Sequence, residues 1–97
     1  MIRLEESFLR VVMWLPESFD FRLRREFLMI YQNRPPETFY KIDFRAVTSI
    51  DSSALGMLLL MRSYCGEGNA RIRLVHCNER IRKILKTALF DEYFDMT

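Results

Sequence analysis

The sequence of 97 residues has few of the side chains that build metal centres or disulfide frameworks. It contains a single histidine, His76, and two cysteines, Cys65 and Cys77, which are too far apart to form a Cys-x-x-Cys pair. A structural zinc site normally needs four such ligands, so the sequence predicts no bound metal and no cofactor. We expect both thiols to be reduced, because disulfides are rare inside cells.

Long apolar runs are also missing. The first residues, MIRLEESFLRVV, contain no apolar segment of signal-peptide length, and the longest apolar run, Met57 to Met61, is far too short to cross a bilayer. The sequence therefore predicts a cytoplasmic protein that is not inserted in a membrane. With only three glycines and three prolines, we expect short loops within one domain covering residues 1–97.

The sequence has no large excess of charge of one sign. The formal net charge is +2, and the basic residues are scattered rather than clustered. A nucleic-acid-binding domain usually shows a clustered basic face, so the sequence favours no direct contact with nucleic acid. The two acidic residues Asp43 and Asp51 are not accompanied by a histidine or by a nucleophile beside a base. We therefore predict that these two carboxylates do not form a hydrolytic site.

Hydrophobic periodicity predicts the element order β-β-α-β-α-β-α-β. Two strands are expected around a tight turn at Glu6-Ser7, the second running from Leu9 to Leu15. The three helices are expected after Asp20, at about Ser53 to Tyr64, and after Asn78. This alternation predicts an α/β domain with a mostly parallel or mixed sheet of about four to five strands. Three or more helices are expected to pack on one or both faces of that sheet.

The segment TSIDSSALGMLLLMRSYC joins a polar opening to an apolar helix. Asp51, Ser52 and Ser53 stand directly before the apolar run. Serine before a helix is most often an N-cap, and an exposed hydroxyl at a helix start is also a suitable phosphorylation site. The two roles are compatible, because one serine can cap the helix while the other exposes its hydroxyl.

The block FYKIDFRAVTSIDSSALGMLLL resembles the signature of the STAS family. It contains an apolar strand, Asp43, a short connection and then an Asp-Ser-Ser-Gly-Leu-Gly turn that opens a helix, in which Ala54 replaces the first glycine. The early segment WLPESFDF is similar to the family's Gly-Glu-Leu-Asp turn, with Pro16 in place of glycine. The segment RIRLVHCNERIRKILKTALFDEYFDM resembles the family's last strand, last helix and tail.

The resemblance implies a protein that is not an enzyme, namely a switch of the anti-sigma factor antagonist type. Proteins of this type bind a serine kinase of the histidine-kinase-like ATPase fold that is also the anti-sigma factor, and phosphorylation releases it. A serine phosphatase of the PP2C type restores the binding form. Ser52 matches the acceptor, with Ser53 as the alternative, while Asp51 and Ser53 support the phosphorylation site.

Two other functions are compatible with the same resemblance. Some small STAS proteins are accessory subunits that bind the ATPase of a lipid or solute transporter, and others sense small ligands. The Ser52-Ser53 pair favours the phosphorylation switch over the transporter subunit. The sequence has no glycine-rich phosphate loop, which argues against a nucleotide sensor.

The apolar helix after the serines has more large side chains than one helix-on-sheet contact can bury. We expect Leu55, Leu58 and Leu59 to cover the sheet and Met57 and Tyr64 to be exposed. Leu60 and Met61 could belong to either surface. The predicted partner interface consists of Met57, Leu60, Met61 and Tyr64, because methionine adapts to the shape of a partner and exposed apolar patches often mark binding sites.

Overall fold

The computed structural model describes all residues from 1 to 97. Five strands form the main sheet: β1 (Arg3–Ser7), β2 (Arg10–Trp14), β4 (Phe39–Asp43), β6 (Arg71–Val75) and β7 (Asp95–Met96). Two short strands, β3 (Ser18–Phe19) and β5 (Ser49–Ile50), form a separate pair. The helices are α1 (Arg24–Tyr31), α2 (Ser52–Tyr64) and α3 (Glu79–Thr87), and 3-10 turns lie at Phe21–Leu23, Glu67–Asn69 and Phe90–Glu92.

The predicted alternation of strands and helices is confirmed, with four local differences. The turn between β1 and β2 lies at Phe8 and Leu9, where Leu9 is left-handed with φ 56°, rather than at Glu6-Ser7. The segment expected to be a plain connection before the serines contains β5, which pairs in parallel with β3. The first helix starts as a 3-10 turn after Asp20. The helix after the serines begins at Ser52, one residue earlier than expected.

The strand order explains why the sheet has one covered face. The sheet runs β1-β2-β4-β6-β7, and every pair except the antiparallel β1 and β2 is parallel. Each step from β2 to β4, β6 and β7 moves in the same direction, and β-helix-β crossovers are almost always right-handed. The helices α1, α2 and α3 therefore all lie on the same side of the sheet.

A single apolar core fills the space between this side of the sheet and the helices. Cross-strand register places alternate residues of three parallel neighbours on the covered face, all at most 5% exposed: Val11, Met13, Tyr40, Ile42, Ile72 and Leu74. Phe27, Met61 and Leu85 from the three helices pack into the same core. Burial of this apolar surface is the main stabilising term of the fold.

The residues of α2 divide cleanly by helical period. Ala54, Met57, Leu58 and Met61 are buried, whereas Ser52, Gly56, Leu59 and Ser63 point outward. The chain leaves the helix at Gly66, whose φ of 97° lies in the left-handed region that glycine adopts most easily.

Candidate functional site

The segment from β5 into α2 holds the two candidate serines at a fixed place on the surface. The backbone N–H groups of Thr48 and Ser49 both donate to the carbonyl oxygen of Glu17, at 2.9 and 3.2 Å. The parallel pair β3–β5 therefore ties the approach to α2 against the loop that follows β2. Because the backbone enters the helix from a paired strand, the first turn of α2 has a defined direction.

Asp51 is the N-cap of α2. Its side-chain Oδ1 accepts a hydrogen bond from the backbone N–H of Ala54 at 2.9 Å, and its backbone is extended with φ −116° and ψ 175°. This geometry satisfies one of the N–H groups that lack an acceptor within the helix. The prediction that a serine caps the helix is therefore wrong, because the aspartate one residue earlier already performs that role.

Ser52 and Ser53 occupy the first two positions of the helix, and both are exposed. Neither hydroxyl has a hydrogen-bond partner in the protein, so both are free to react or to contact a partner. On a helical projection Ser52 lies near the centre of the outward face, in line with Gly56, Leu59 and Ser63, whereas Ser53 turns toward α1. The structure thus places Ser52 on the most accessible side of the helix start.

The expected interface is only partly on the surface. Leu60 and Tyr64 are exposed, with 65% and 44% of their surfaces accessible. Met57 and Met61 are core residues at 4% and 0%, so the expectation that Met57 is exposed is wrong, and Met61 belongs to the core alternative. The reason is the phase of the helix: Met57 and Met61 follow Ala54 at i+3 and i+7, on the side that faces the sheet.

Leu59 shows the opposite error. It was expected to cover the sheet, but 41% of its surface is accessible, and it stands beside Leu60 on the outward side. Tyr64 is exposed yet attached to the protein's own α1: its hydroxyl donates to the carbonyl of Gln32, and its ring meets the Tyr31 ring edge-to-face at 5.3 Å. The apolar residues left for a partner on α2 are therefore Leu59 and Leu60, with the rim of Tyr64.

Open grooves flank α2 on both sides. An apolar groove of about 500 Å³ separates α2 from α3 and is lined by Leu55, Ile84 and Ala88, with Arg80 and Lys83 at its rim. A second groove, of about 390 Å³, lies between α1 and α2 beside Leu28 and Leu60. Both grooves were missed from the sequence. The excess of apolar residues in α2 was the only signal of them.

Arg22, a cation near the helix start, is already paired with Asp20. Arg22 donates from Nε and a terminal nitrogen to the Asp20 carboxylate, at 3.0 and 2.7 Å. These hydrogen bonds lower the pKa of Asp20, and they raise the pKa of Arg22, to which the nearby charge of Asp51 adds a smaller effect. The guanidinium of Arg22 is therefore not available to pair with a new anion on α2.

Other reactive side chains of the chain are held in structural roles. Asp43 is buried and accepts from the backbone N–H of Arg45 at 2.8 Å, with the guanidinium of Arg45 and the imidazole of His76 each within 4 Å of its other oxygen. Burial raises the pKa of the Cys77 thiol to about 11, so this thiol is protonated at neutral pH. No cluster of three or more His, Cys, Asp or Glu side chains is present.

The structure also places Ala54, the residue that departs from the family motif. Its side chain is fully buried in the core rather than on the outer surface of the helix. The methyl group of Ala54 therefore packs beneath the helix start and takes up no space on the side where the serines are exposed. No helix of the structure is long and apolar enough to span a bilayer.

Comparison with known proteins identifies relatives over most of the chain. A family model described as STAS domain matches residues 21–97. A STAS-domain-containing protein of Pseudomonas aeruginosa is 41% identical over 81 residues, which cover 81% of this chain and 79% of that protein.

Solved structures share the fold at lower identity. An anti-sigma factor antagonist of Mycobacterium paratuberculosis matches 99% of this chain and 83% of its own, with a TM-score of 0.82 and 18% identity. The Bacillus protein SpoIIAA in its phosphorylated form matches 100% of this chain and 91% of its own, with a TM-score of 0.69 and 17% identity. A sulfate transporter family protein of Wolinella succinogenes matches 89% of this chain and 71% of its own, with a TM-score of 0.71 and 17% identity.

Proposed function

The chain belongs to the STAS domain family, and from that premise we propose that it is a phosphorylation-controlled binding protein of the anti-sigma factor antagonist type. In its unmodified form it binds a serine kinase of the histidine-kinase-like ATPase fold that also acts as an anti-sigma factor. Phosphorylation of Ser52 releases that partner, and a PP2C-type phosphatase reverses the modification. One domain over residues 1–97 performs this role, because β1 and β2 complete the sheet of the matched region.

The observation that carries the proposal is the exposed, unbonded hydroxyl of Ser52 at the start of a helix whose cap is supplied by another residue. Because Asp51 holds the cap, modification of Ser52 removes no hydrogen bond from the fold. The free N–H groups and the dipole at the helix start also favour a phosphate there. The domain is therefore expected to keep its structure in both states.

Release follows from the electrostatics of the same site. A phosphoserine carries about −1.5 to −2 charges at neutral pH. The carboxylate of Asp51 lies next to it in sequence, and Arg22 is bonded to Asp20. A partner that covers the helix start must then bury a dianion beside the Asp51 carboxylate, and without a matching cation this costs several kcal/mol.

The docking surface in this proposal consists of Ser52, Gly56, Leu59 and Leu60, which we call the α2 outer face. The adjoining groove beside α3 offers an apolar floor at Leu55 and a basic rim at Arg80 and Lys83. The ATPase-fold partner is expected to insert apolar side chains into this groove and to cover the serines at the same time.

A pull-down from cell extract tests the switch. Wild type and Ser52→Ala should recover the kinase, whereas Ser52→Asp should not. Ser63→Asp is the matched control, because Ser63 is exposed on the same side of α2 three turns from Ser52; it adds the same charge and should still bind. Equal recovery by Ser52→Asp and wild type contradicts the proposal.

Site mapping distinguishes the two serines. After incubation with the cognate kinase and ATP, mass spectrometry should locate the phosphate on Ser52, and Ser53→Ala should still be labelled. A phosphate found on Ser53 alone moves the acceptor by one residue.

The second candidate is an accessory subunit that binds the ATPase of a lipid or solute transporter. The similarity in fold to a sulfate transporter family protein favours it. Recovery of a transporter ATPase with equal yield from wild type, Ser52→Ala and Ser52→Asp would support this function, because such a subunit needs no phosphorylated serine.

A further inference from the structure

The face of the sheet opposite the helices is uncovered. Register places three rows of side chains on it: Arg3, Trp14, Asp43 and Val75; Glu5, Val12, Lys41, Arg73 and Asp95; Ser7, Arg10, Phe39 and Arg71. We call this surface the bare face. Its buried apolar residues, Val12 and Val75, lie outside the core cluster. Parallel sheets are normally covered on both sides, so an uncovered, mostly parallel face is unusual for this architecture.

The bare face has more cations than the protein itself neutralises. It carries five basic residues, and its three carboxylates are Glu5, Asp95, which pairs with Arg73 at 2.9 Å, and Asp43, which is buried. No carboxylate lies within 4 Å of the four remaining basic groups, on Arg3, Arg10, Lys41 and Arg71. Unpaired like charges on neighbouring strands repel one another, so an external anion would stabilise this arrangement.

Aromatic rings lie between these cations. The guanidinium of Arg3 sits over the Trp14 ring, 4.6 Å from its centroid. Arg10 and Arg71 approach Phe39 from the strands on either side, at 5.2 and 5.9 Å. Rings and planar guanidinium groups on the surface of a sheet are the groups on which unpaired bases stack, while the positive charge attracts the phosphates between the bases.

The size of the bare face favours a narrow, extended ligand. The strands are spaced about 4.8 Å apart and four of the five are five residues long, which gives a projected area of about 300 Å². A stable globular partner usually covers about 800 Å² on each side. A second copy of the chain is also disfavoured, because two bare faces would bring cations against cations. We infer that the bare face binds single-stranded nucleic acid, with bases stacked at Phe39 and Trp14 and phosphates at the unpaired arginines.

This inference does not depend on the proposed function, because Ser52 and the α2 outer face are on the opposite side of the sheet. The full chain supplies its own probe: Trp14 is its only tryptophan and lies on the bare face. Titration with short oligouridine and with short oligothymidine should quench Trp14 fluorescence. Quenching by either oligonucleotide supports the inference and shows whether the sugar matters. If three phosphates are neutralised, affinity should fall about twentyfold between 50 and 200 mM salt.

A charge-matched pair of variants locates the site. Arg10→Gln with Arg71→Gln should weaken binding about tenfold or more and flatten the salt dependence. Arg82→Gln with Lys86→Gln removes the same charge from α3, where no aromatic ring is paired with a cation, and should leave binding unchanged. Anisotropy of a labelled oligonucleotide provides a second readout that does not depend on Trp14.

Three results would overturn the inference. The first is the absence of binding to both oligonucleotides in both measurements at low salt. The second is equal quenching by polyglutamate of similar length, which would identify an acceptor for acidic protein segments. The third is equal weakening by the α3 variant, which would assign any binding to net charge alone.

Discussion

The two faces of the sheet are built from the same strands and follow opposite rules. On the covered face, Val11, Tyr40 and Leu74 are almost fully buried and contact the helices. On the bare face, the residues next to them in sequence include Arg10, Phe39, Lys41 and Arg73, and the guanidinium of Arg10 lies 5.2 Å from the centroid of the Phe39 ring. Because successive side chains of a strand point to opposite faces, the chain separates its stabilising residues from its exposed charges within single strands. The comparison teaches that substitutions one residue apart should have very different consequences.

The largest difference is expected between a core residue of α2 and its exposed neighbour. Met61→Ala removes a fully buried side chain and should lower the free energy of unfolding by about 2–4 kcal/mol. Leu60→Ala, at a site that is 65% exposed, should change it by less than about 0.5 kcal/mol. Urea unfolding followed by circular dichroism measures both, and a loss at Leu60 as large as that at Met61 would show that α2 is rotated.

Alkaline pH should act on the covered side of the sheet. Burial raises the pKa of Cys77 from 9.0 to about 11 and that of Tyr40 from 10.0 to about 12. In the folded protein each group stays protonated at pH values where it would ionise in the unfolded chain. Their contribution to the free energy of unfolding is therefore complete below pH 9. The contribution of Cys77 is lost as pH rises through 11, and that of Tyr40 as pH rises through 12. A pKa shift of two units corresponds to a loss of about 2–3 kcal/mol from the free energy of unfolding for each group.

Urea midpoints between pH 8 and 11 measure this loss, and Cys77→Ala should make the decline shallower than in wild type. Arg10→Gln on the bare face is the control, and its decline should run parallel to wild type. An unchanged slope in Cys77→Ala would contradict the assignment to this thiol.

A smaller effect is expected at the helix start. Asp51→Ala removes the acceptor for the Ala54 N–H and should cost about 1 kcal/mol. Asp51→Asn keeps a side-chain oxygen at the same position and should cost much less. Ser53→Ala should be nearly neutral, because its hydroxyl bonds nothing in the protein; thermal unfolding of the three variants checks the order. If Ser53→Ala lowered stability as much as Asp51→Ala, the serine would be the N-cap of α2.

The smallest effect concerns a glycine on the α2 outer face. A Cβ at Gly56 would meet no atom within 4 Å, so Gly56→Ala should stabilise the domain by about 0.5–1 kcal/mol through helix propensity. Gly66→Ala should instead destabilise it, because φ is 97° there. If a partner approaches the backbone closely at Gly56, the added methyl group should weaken binding even as the melting temperature rises.

The order and type of the elements could be predicted because strands and helices differ in period and are separated by clear stop signals such as Pro16 and Gly66. The phase of α2 could not. Its residues from Met57 to Met61 are all large and apolar, so the sequence has no polar stripe that fixes which methionines face the sheet. Met57 and Met61 were therefore placed on the wrong side or left open, and Leu59 was assigned to the core.

The bare face could not be predicted from the sequence for a different reason. Its cations are separated in sequence by tens of residues, as with Arg10 and Arg71, and they are gathered only by the pairing order of four strands. A sequence shows which residues share a face of one strand but not which strands are neighbours. The scattered charges that favoured no contact with nucleic acid thus form one surface only in the folded chain.

The place of α2 between β4 and β6 has a consequence for how the proposed modification of Ser52 would act. This helix is the crossover that joins two interior strands of the sheet, and four of its side chains lie in the common core. Beyond its first turn, the backbone amides of α2 should therefore exchange with deuterium only through opening events close in free energy to complete unfolding. Charge added to the α2 outer face should then change which partners bind there, while the rate of local opening of the helix stays unchanged.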